Sequence, residues 1–195
     1  MISSSIIGLI NSIYCFNKPN LHIILHRNGT IMSKLEIIKG KIFQADELRA
    51  NLNIWRLLEK KIVFTNGCFD LLHLGHIDYL SKAADMGEKL IIGLNSDAST
   101  SALKGPSRPI IDQYSRSIML ASFSFVDAVI IFDDPTPLPL IEWIKPDVLV
   151  KGADYTIDQI VGSDLVLQYG GDVKTIEYLS GYSTSAIEKK IKATP

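Results

Sequence analysis

Apolar residues follow two alternating rhythms along the chain. From Ala45 to Glu59, Leu48, Leu52, Trp55 and Leu58 recur at helical spacing and predict an amphipathic helix. Lys61-Ile62-Val63-Phe64-Thr65 then reads as a strand, and after a glycine-containing turn Leu74–Met86 reads as a helix halted by Gly87. Lys89–Leu94 is a second apolar strand, and the polar stretch Asn95–Pro109 predicts a long loop. Helix signals resume over Asp112–Phe125, opened by an aspartate suited to capping. There follow a strand at Ala128–Phe132, a short helix at Pro137–Ile144 and a strand at Asp147–Val150. A helix at Asp164–Tyr169, a strand at Val173–Ile176 and a closing helix at Ser183–Lys192 complete the pattern.

Strands that alternate with helices are joined by crossovers and form a parallel sheet. Near-continuous apolar runs such as Leu90-Ile91-Ile92 and Val129-Ile130-Ile131 suit strands buried on both faces. The expected fold is therefore α/β: a Rossmann-like, doubly wound, five-stranded parallel sheet with helices on both faces. Ligands of such sheets sit outside the carboxyl ends of the strands, which selects the residues to inspect.

Composition narrows the picture. In 195 residues, 47% hydrophobic and 21% charged side chains supply a sizeable core and exclude a disordered chain. Twenty Lys+Arg against 21 Asp+Glu leave a net charge of -1, which argues against bulk nucleic-acid binding and against anchoring to anionic lipid. A few local cations around a small phosphorylated ligand stay compatible with that balance. Cys15 and Cys68 form neither a disulfide framework nor a zinc set and suit a reducing cytoplasm. The longest apolar stretch, Ile118–Phe132, is broken by Ser122, Ser124 and Asp127 and falls short of the ~20 residues of a membrane span. Ile6-Ile7-Gly8-Leu9-Ile10 mimics a short signal core, yet no Lys or Arg precedes Lys18. Met32-Ser33-Lys34 reads as a better start, which makes residues 1–31 an N-terminal extension with a non-native start. Residues 32–60 are then a segment carrying the amphipathic helix.

The first strand runs out into Asn66-Gly67-Cys68-Phe69-Asp70, then Leu71-Leu72-His73-Leu74-Gly75-His76. Gly67 permits a tight turn, and Gly75 a close approach by ligand or backbone. His73 and His76, three apart at the first turn of a helix, share a face. With the free N–H groups of that turn they make an anion site able to take phosphate oxygens. A structural histidine pair and two ligands of a metal are the alternatives, although no third ligand has recognisable spacing. Lys104 and Arg108 lie on a Gly/Pro/Ser loop from which they would grip phosphates, or merely be solvated. Lys151 ends the fourth strand, where a long cation reaches a pocket, and Gly152-Ala153-Asp154 behind it suggests a shaped site. Ser183, Thr184 and Ser185 offer hydroxyls and helix-start N–H groups to a phosphate, with N-capping accounting for one hydroxyl. Asn95 and Asp97 read either as contacts to ribose or sugar or as an Asx-turn.

His73-Leu74-Gly75-His76, preceded by Gly67-Cys68-Phe69-Asp70, resembles the HxGH signature of the cytidylyltransferase-like nucleotidyltransferases. Gly93-Leu94-Asn95-Ser96-Asp97, Phe125-Val126-Asp127-Ala128-Val129 and Ser183-Thr184-Ser185 follow in the family's order, so the likeness spans about Gly40 to Lys192. It makes residues 61–195 a nucleotidyltransferase domain. Three stretches resemble one branch, the adenylyltransferases that make ADP-heptose from D-glycero-β-D-manno-heptose 1-phosphate for lipopolysaccharide core or another surface glycan. They are Lys104-Gly105-Pro106-Ser107-Arg108-Pro109, Lys145 to Tyr155, and Gly181-Tyr182-Ser183-Thr184. In many bacteria that unit is fused behind a ribokinase-like sugar kinase. Only about 60 residues precede the motif here, too few for such a domain, so a stand-alone form is expected.

The resemblance implies that His73, His76 and Lys104 are catalytic and that ATP is the nucleotide. It places Gly67, Cys68, Phe69, Asp70, Gly75, Arg108, Lys151, Ser183, Thr184 and Ser185 around that nucleotide. Asn95, Asp97 and Asp154 are left as substrate contacts. Mg2+ is expected to accompany ATP, with no carboxylate cluster to assign as its ligands. The implied partners are ATP and a sugar 1-phosphate, with no nucleic acid and no membrane, in a cytoplasmic protein. Family members are often homodimers, although no sequence patch demands one here. Cytidylyltransferase relatives carry an arginine where this chain has Tyr178-Leu179-Ser180-Gly181, which disfavours CTP. The alternatives are the same chemistry on another acceptor (glycerol 3-phosphate with CTP, FMN with ATP) and a non-catalytic nucleotide-binding module. A dinucleotide oxidoreductase is disfavoured because no G-x-G-x-x-G follows the first strand.

Overall fold

The structure, a computed structural model, describes residues 26–27, 30–31 and 33–193, so most of the expected extension and its start lie outside the described residues. The chain divides into two compact units, Met1–Ile37 and Ile38–Pro195. In the first, a two-stranded antiparallel ladder pairs β1 (His26–Arg27) with β2 (Thr30–Ile31). A short helix, α1 (Lys34–Lys39), opens on a reciprocal cap: Ser33 Oγ accepts the Glu36 N–H at 3.2 Å, and Glu36 returns Oε2 to the Ser33 N–H at 2.8 Å.

The second unit holds α2 (Ala45–Leu57), β3 (Ile62–Gly67), α3 (Leu74–Ala84), β4 (Lys89–Asn95), α4 (Asp97–Lys104) and α5 (Gln113–Ala121). These are followed by β5 (Ala128–Phe132), α6 (Leu138–Ile144), β6 (Val148–Gly152), α7 (Ser163–Gln168), β7 (Asp172–Ile176) and α8 (Thr184–Lys192). All five strands are parallel, in the order β5-β4-β3-β6-β7. Alternate strand residues feed opposite faces. Phe64, Ile91, Ile130, Leu149 and Val173 pack with Leu48, Leu52 and Trp55 of α2, Leu140, Ile141 and Ile144 of α6, and Val166 of α7. Val63, Leu90, Ile92, Val129, Val148 and Val150 pack with Tyr79, Leu80 and Ala83 of α3 and Leu120 and Ala121 of α5. Burial on both faces is what the unbroken apolar runs foretold.

One expected element is corrected. Residues 95–109 are not a continuous loop, because α4 occupies Asp97–Lys104. Ser96 caps it by accepting the Ser99 N–H at 3.1 Å, and Gly105, at φ +99°, stops it. Its buried side is formed by Ser99 and Thr100, so no apolar stripe announces it. No described helix is long and apolar enough to cross a membrane.

Candidate active site

The chain order reverses between β3 and β6, and there the sheet splits. The two strands are in register only at Val63↔Val148 and Phe64↔Leu149. Beyond that point β3 continues against β4 as far as Gly67↔Leu94, and β6 against β7 as far as Gly152↔Ile176. A crevice at the carboxyl ends is where such folds receive ligands. Lys151 Nζ reaches across it to the Asn66 carbonyl at 3.2 Å, taking an acceptor that a continued ladder would have used. Burial pushes the Lys151 ammonium down to about 8, against the opposing pull of Asp154 and Cys68.

His73 is the N-cap of α3, in extended backbone, and its carbonyl accepts the His76 N–H at 2.9 Å. The two imidazoles stack with centroids 3.9 Å apart and planes 22° from parallel. Phe69 meets His76 edge-on at 5.5 Å. Phe69 holds φ at +44°, a left-handed conformation that costs a non-glycine residue about 1 kcal/mol, and so lays its ring across Gly67. At Gly75 a Cβ would sit 3.0 Å from His73 Nδ1 and 3.2 Å from Tyr182 Cβ, so glycine spares the crowding that a side chain would cause where the histidine and the segment before α8 converge. Burial lowers the pKa of both imidazoles, and the nearby His73 and Lys104 help take His76 to about 4. Both rings are therefore neutral near pH 7. Nδ1 of His73, Nδ1 of His76 and Asn66 Oδ1 are buried without a hydrogen-bond partner. Buried polar atoms are otherwise almost always paired, so three orphans around one strand–helix turn mark a place for a polar ligand.

The acidic and basic candidates divide into two clusters. Asp70, 2% exposed, accepts from Arg108 Nη1 at 2.7 Å and from the N–H groups of Ile110 and Ile111 at 2.8 and 3.0 Å. Arg108 also pairs with Glu188 of α8. Asn95 and Asp97 turn toward Arg116 of α5. Fully buried, Arg116 donates to the Cys68, Asn95 and Ile111 carbonyls and holds Asp97 Oδ1 at 2.7 Å. It thereby fastens the ends of β3 and β4 to the loop that carries Arg108. Asn95 also donates to Ser99 Oγ at 2.9 Å.

Ser183 caps α8 by accepting the Ala186 N–H at 3.1 Å, with Thr184 and Ser185 in the first turn behind it. Lys104 ends α4, close enough to His76 to depress its pKa. Tyr178 lays its hydroxyl over Gly152, where a Cβ would collide with it and with Asp154 Oδ1. Burial and the Asp154 charge raise the Tyr178 phenol to about 12. Sequence reasoning did not single out Asn66, Arg116, Tyr178 or Glu188 as site residues. Arg116 alone left a signal, standing four residues before Leu120 on the buried face of α5.

A family model described as cytidylyltransferase-like matches residues 64–190. The bifunctional protein HldE of Methylobacillus flagellatus is 52% identical over 151 residues, which is 77% of this chain and 31% of that protein. HldE of Campylobacter curvus is 58% identical over 134 residues, covering 69% of this chain and 28% of the relative. HldE of Magnetococcus marinus is 42% identical over 183 residues, covering 88% and 38%. The chain thus spans about a third of the length of the curated relatives it matches. The crystal structure of a pantoate-beta-alanine ligase from Francisella tularensis shares the fold, with a TM-score of 0.52 and 15% identity over 77% of this chain and 76% of the other. The family model covers the split between β3 and β6, the stacked histidines and the capped start of α8 in one continuous match, and this chain belongs to the cytidylyltransferase-like family.

Proposed function

We propose that the chain transfers an adenylyl group from ATP to D-glycero-β-D-manno-heptose 1-phosphate, giving ADP-heptose and pyrophosphate for lipopolysaccharide core or another surface glycan. The observation that carries the reading is the stacked, neutral His73–His76 pair at the mouth of the crevice, with both Nδ1 atoms buried and unpartnered. The extended identity to proteins called HldE supports the branch. ATP places the reaction in the cytoplasm, and two small phosphorylated substrates suffice as partners.

A phosphate oxygen of the sugar attacks the α-phosphorus in line, the bond to the β-phosphate oxygen breaks, and pyrophosphate leaves. Such a transfer demands positioning and charge neutralisation and no covalent enzyme intermediate. His73 and His76, neutral, each have one ring N–H to donate to the α- and β-phosphate oxygens as they crowd in the transition state. Lys104 and Lys151 bring positive charge from the two sides, and phosphate raises the depressed pKa of Lys151 on arrival. The free N–H groups and hydroxyls at Ser183, Thr184 and Ser185 receive the anionic end of the triphosphate. Among the described residues, no group of three or more His, Cys, Asp and Glu stands where it would hold a metal ion. A divalent cation would therefore be carried in by the triphosphate, where it neutralises phosphate charge.

The test is pyrophosphate release from each nucleoside triphosphate with a panel of sugar and polyol phosphates. ATP with the heptose 1-phosphate should dominate, and His73→Ala should abolish turnover while sparing ATP binding. Preferential release from CTP with glycerol 3-phosphate would overturn the assignment.

A further inference from the structure

Arg108 is held by two carboxylates of very different character. The Asp70 side chain, 1% exposed, takes Nη1 at 2.7 Å and is itself fixed by two backbone N–H groups, so it belongs to the fold. Glu188 is 25% exposed and lies five residues beyond the Ser183 cap of α8. Its Oε1 meets Nη2 as an ion pair, and no backbone N–H fixes the carboxylate in place. One carboxylate is an anchor and the other is exchangeable. The guanidinium has five N–H donors in a rigid fork that matches phosphate as well as carboxylate. Glu188 therefore engages the donor that an anionic ligand would use.

We propose that Glu188 is a placeholder anion. Its carboxylate holds Arg108 Nη2 in the free protein and yields it to a phosphate oxygen of the bound nucleoside triphosphate. The inference rests on the nucleotide reading above and adds a positioning residue that acts through Arg108. Two effects follow. In the free protein Glu188 keeps the 105–111 loop docked, so that ordering it adds no entropic cost at the moment of binding. In the complex the displaced carboxylate stands near phosphate charge and opposes binding. Glu188 thus trades triphosphate affinity for a preformed loop.

Glu188→Gln, nearly equal in volume and uncharged, separates these effects in the full chain. ATP with Mg2+ is titrated by calorimetry, and tryptic cleavage at Lys104–Gly105 is followed by mass spectrometry. The variant should bind ATP on the order of three- to five-fold more tightly, the range that partly exposed ion pairs carry, with KM for ATP falling in step. Without nucleotide, cleavage after Lys104 should be faster than in the unaltered protein, and ATP should restore protection. Unchanged or weaker ATP binding by a variant of normal thermal stability would overturn the proposal, as would unchanged cleavage. Failure of the unaltered protein to bind ATP would instead remove the nucleotide reading, and the placeholder with it.

Discussion

Asp70→Asn should weaken the fold by about 2 kcal/mol. Three donors converge on the Asp70 carboxylate: Arg108 Nη1 at 2.7 Å and the Ile110 and Ile111 N–H groups at 2.8 and 3.0 Å. The amide keeps Oδ1 for both backbone groups but turns an NH2 toward the guanidinium, replacing a charge-assisted bond by a donor–donor contact. Such a bond is worth roughly 1.5–3 kcal/mol, and Glu188 still compensates part of the Arg108 charge, which keeps the loss below the upper limit. For a chain of this size about 2 kcal/mol lowers Tm by roughly 4–8 °C. Asp70→Ala leaves all three donors without an acceptor and should cost about 4 kcal/mol. The pH dependence has a definite sign. Burial pushes the Asp70 carboxyl up, but hydrogen bonds from Ile111, Arg108 and Ile110 and the Arg108 charge outweigh it, so its pKa in the fold lies below the ordinary 3.8. The carboxylate's contribution is complete above about pH 4 and fades as pH falls through the lowered value. Urea unfolding of both proteins from pH 7 to pH 3 should therefore show a gap that narrows below pH 4. A gap under about 0.5 kcal/mol at pH 7, the scale of an ordinary surface substitution, or one that widens in acid, would show that the carboxylate does not anchor Arg108 and its loop.

Three further outcomes follow from the same geometry. His76, lowered from 6.5 to about 4, binds a proton less readily in the fold than in the unfolded chain. Stability should thus fall as pH drops from 6.5 toward 4, by about 2–3 kcal/mol in all, and His76→Asn should remove that loss in thermal melts. The same variant should lower kcat about 10²–10³-fold, as loss of a preorganised transition-state donor does, with Tm at pH 7.5 changed little. Arg116→Met leaves the Cys68, Asn95 and Ile111 carbonyls without their buried donor, and a loss of about 3–5 kcal/mol is expected by urea unfolding, with partial recovery in Arg116→Lys. Gly152→Ala drives a methyl group against the Tyr178 hydroxyl and should cost about 1–3 kcal/mol. In a double-mutant cycle Tyr178→Ala should relieve part of that cost, the rest falling on Asp154 Oδ1, and strict additivity would contradict the contact.

Signals carried within a few residues were legible in the sequence. Asp112 and Ser183 announced the starts of α5 and α8 because a cap is a local bond, and each accepts the N–H three residues on. The His73–His76 pair could be placed because both residues lie on one helical turn. What remained hidden depends on partners distant in the chain. β3 runs on to Gly67 because Asn66 and Gly67 pair with Gly93 and Leu94, which overrides the turn preference of an Asn-Gly step. Helix α4 was missed because its buried face is Ser99 and Thr100 rather than an apolar stripe. Asp70 meets Arg108 across 38 residues, and Asn95 and Asp97 meet Arg116 across about 20, pairings that no local pattern encodes. Charges that looked available for substrate are partly engaged with one another, and the sequence shows only that they exist.

If the stacked imidazoles at the split between β3 and β6 receive the triphosphate, their ring nitrogens must respond to it. Nitrogen-15 NMR of histidine-labelled protein, assigned with His73→Asn and His76→Asn, measures this directly as ATP is added. The ring signals of His73 and His76 should move and their pKa values rise toward the ordinary range, as phosphate charge favours the protonated form. Unmoved His73 and His76 signals at saturating ATP would contradict the account.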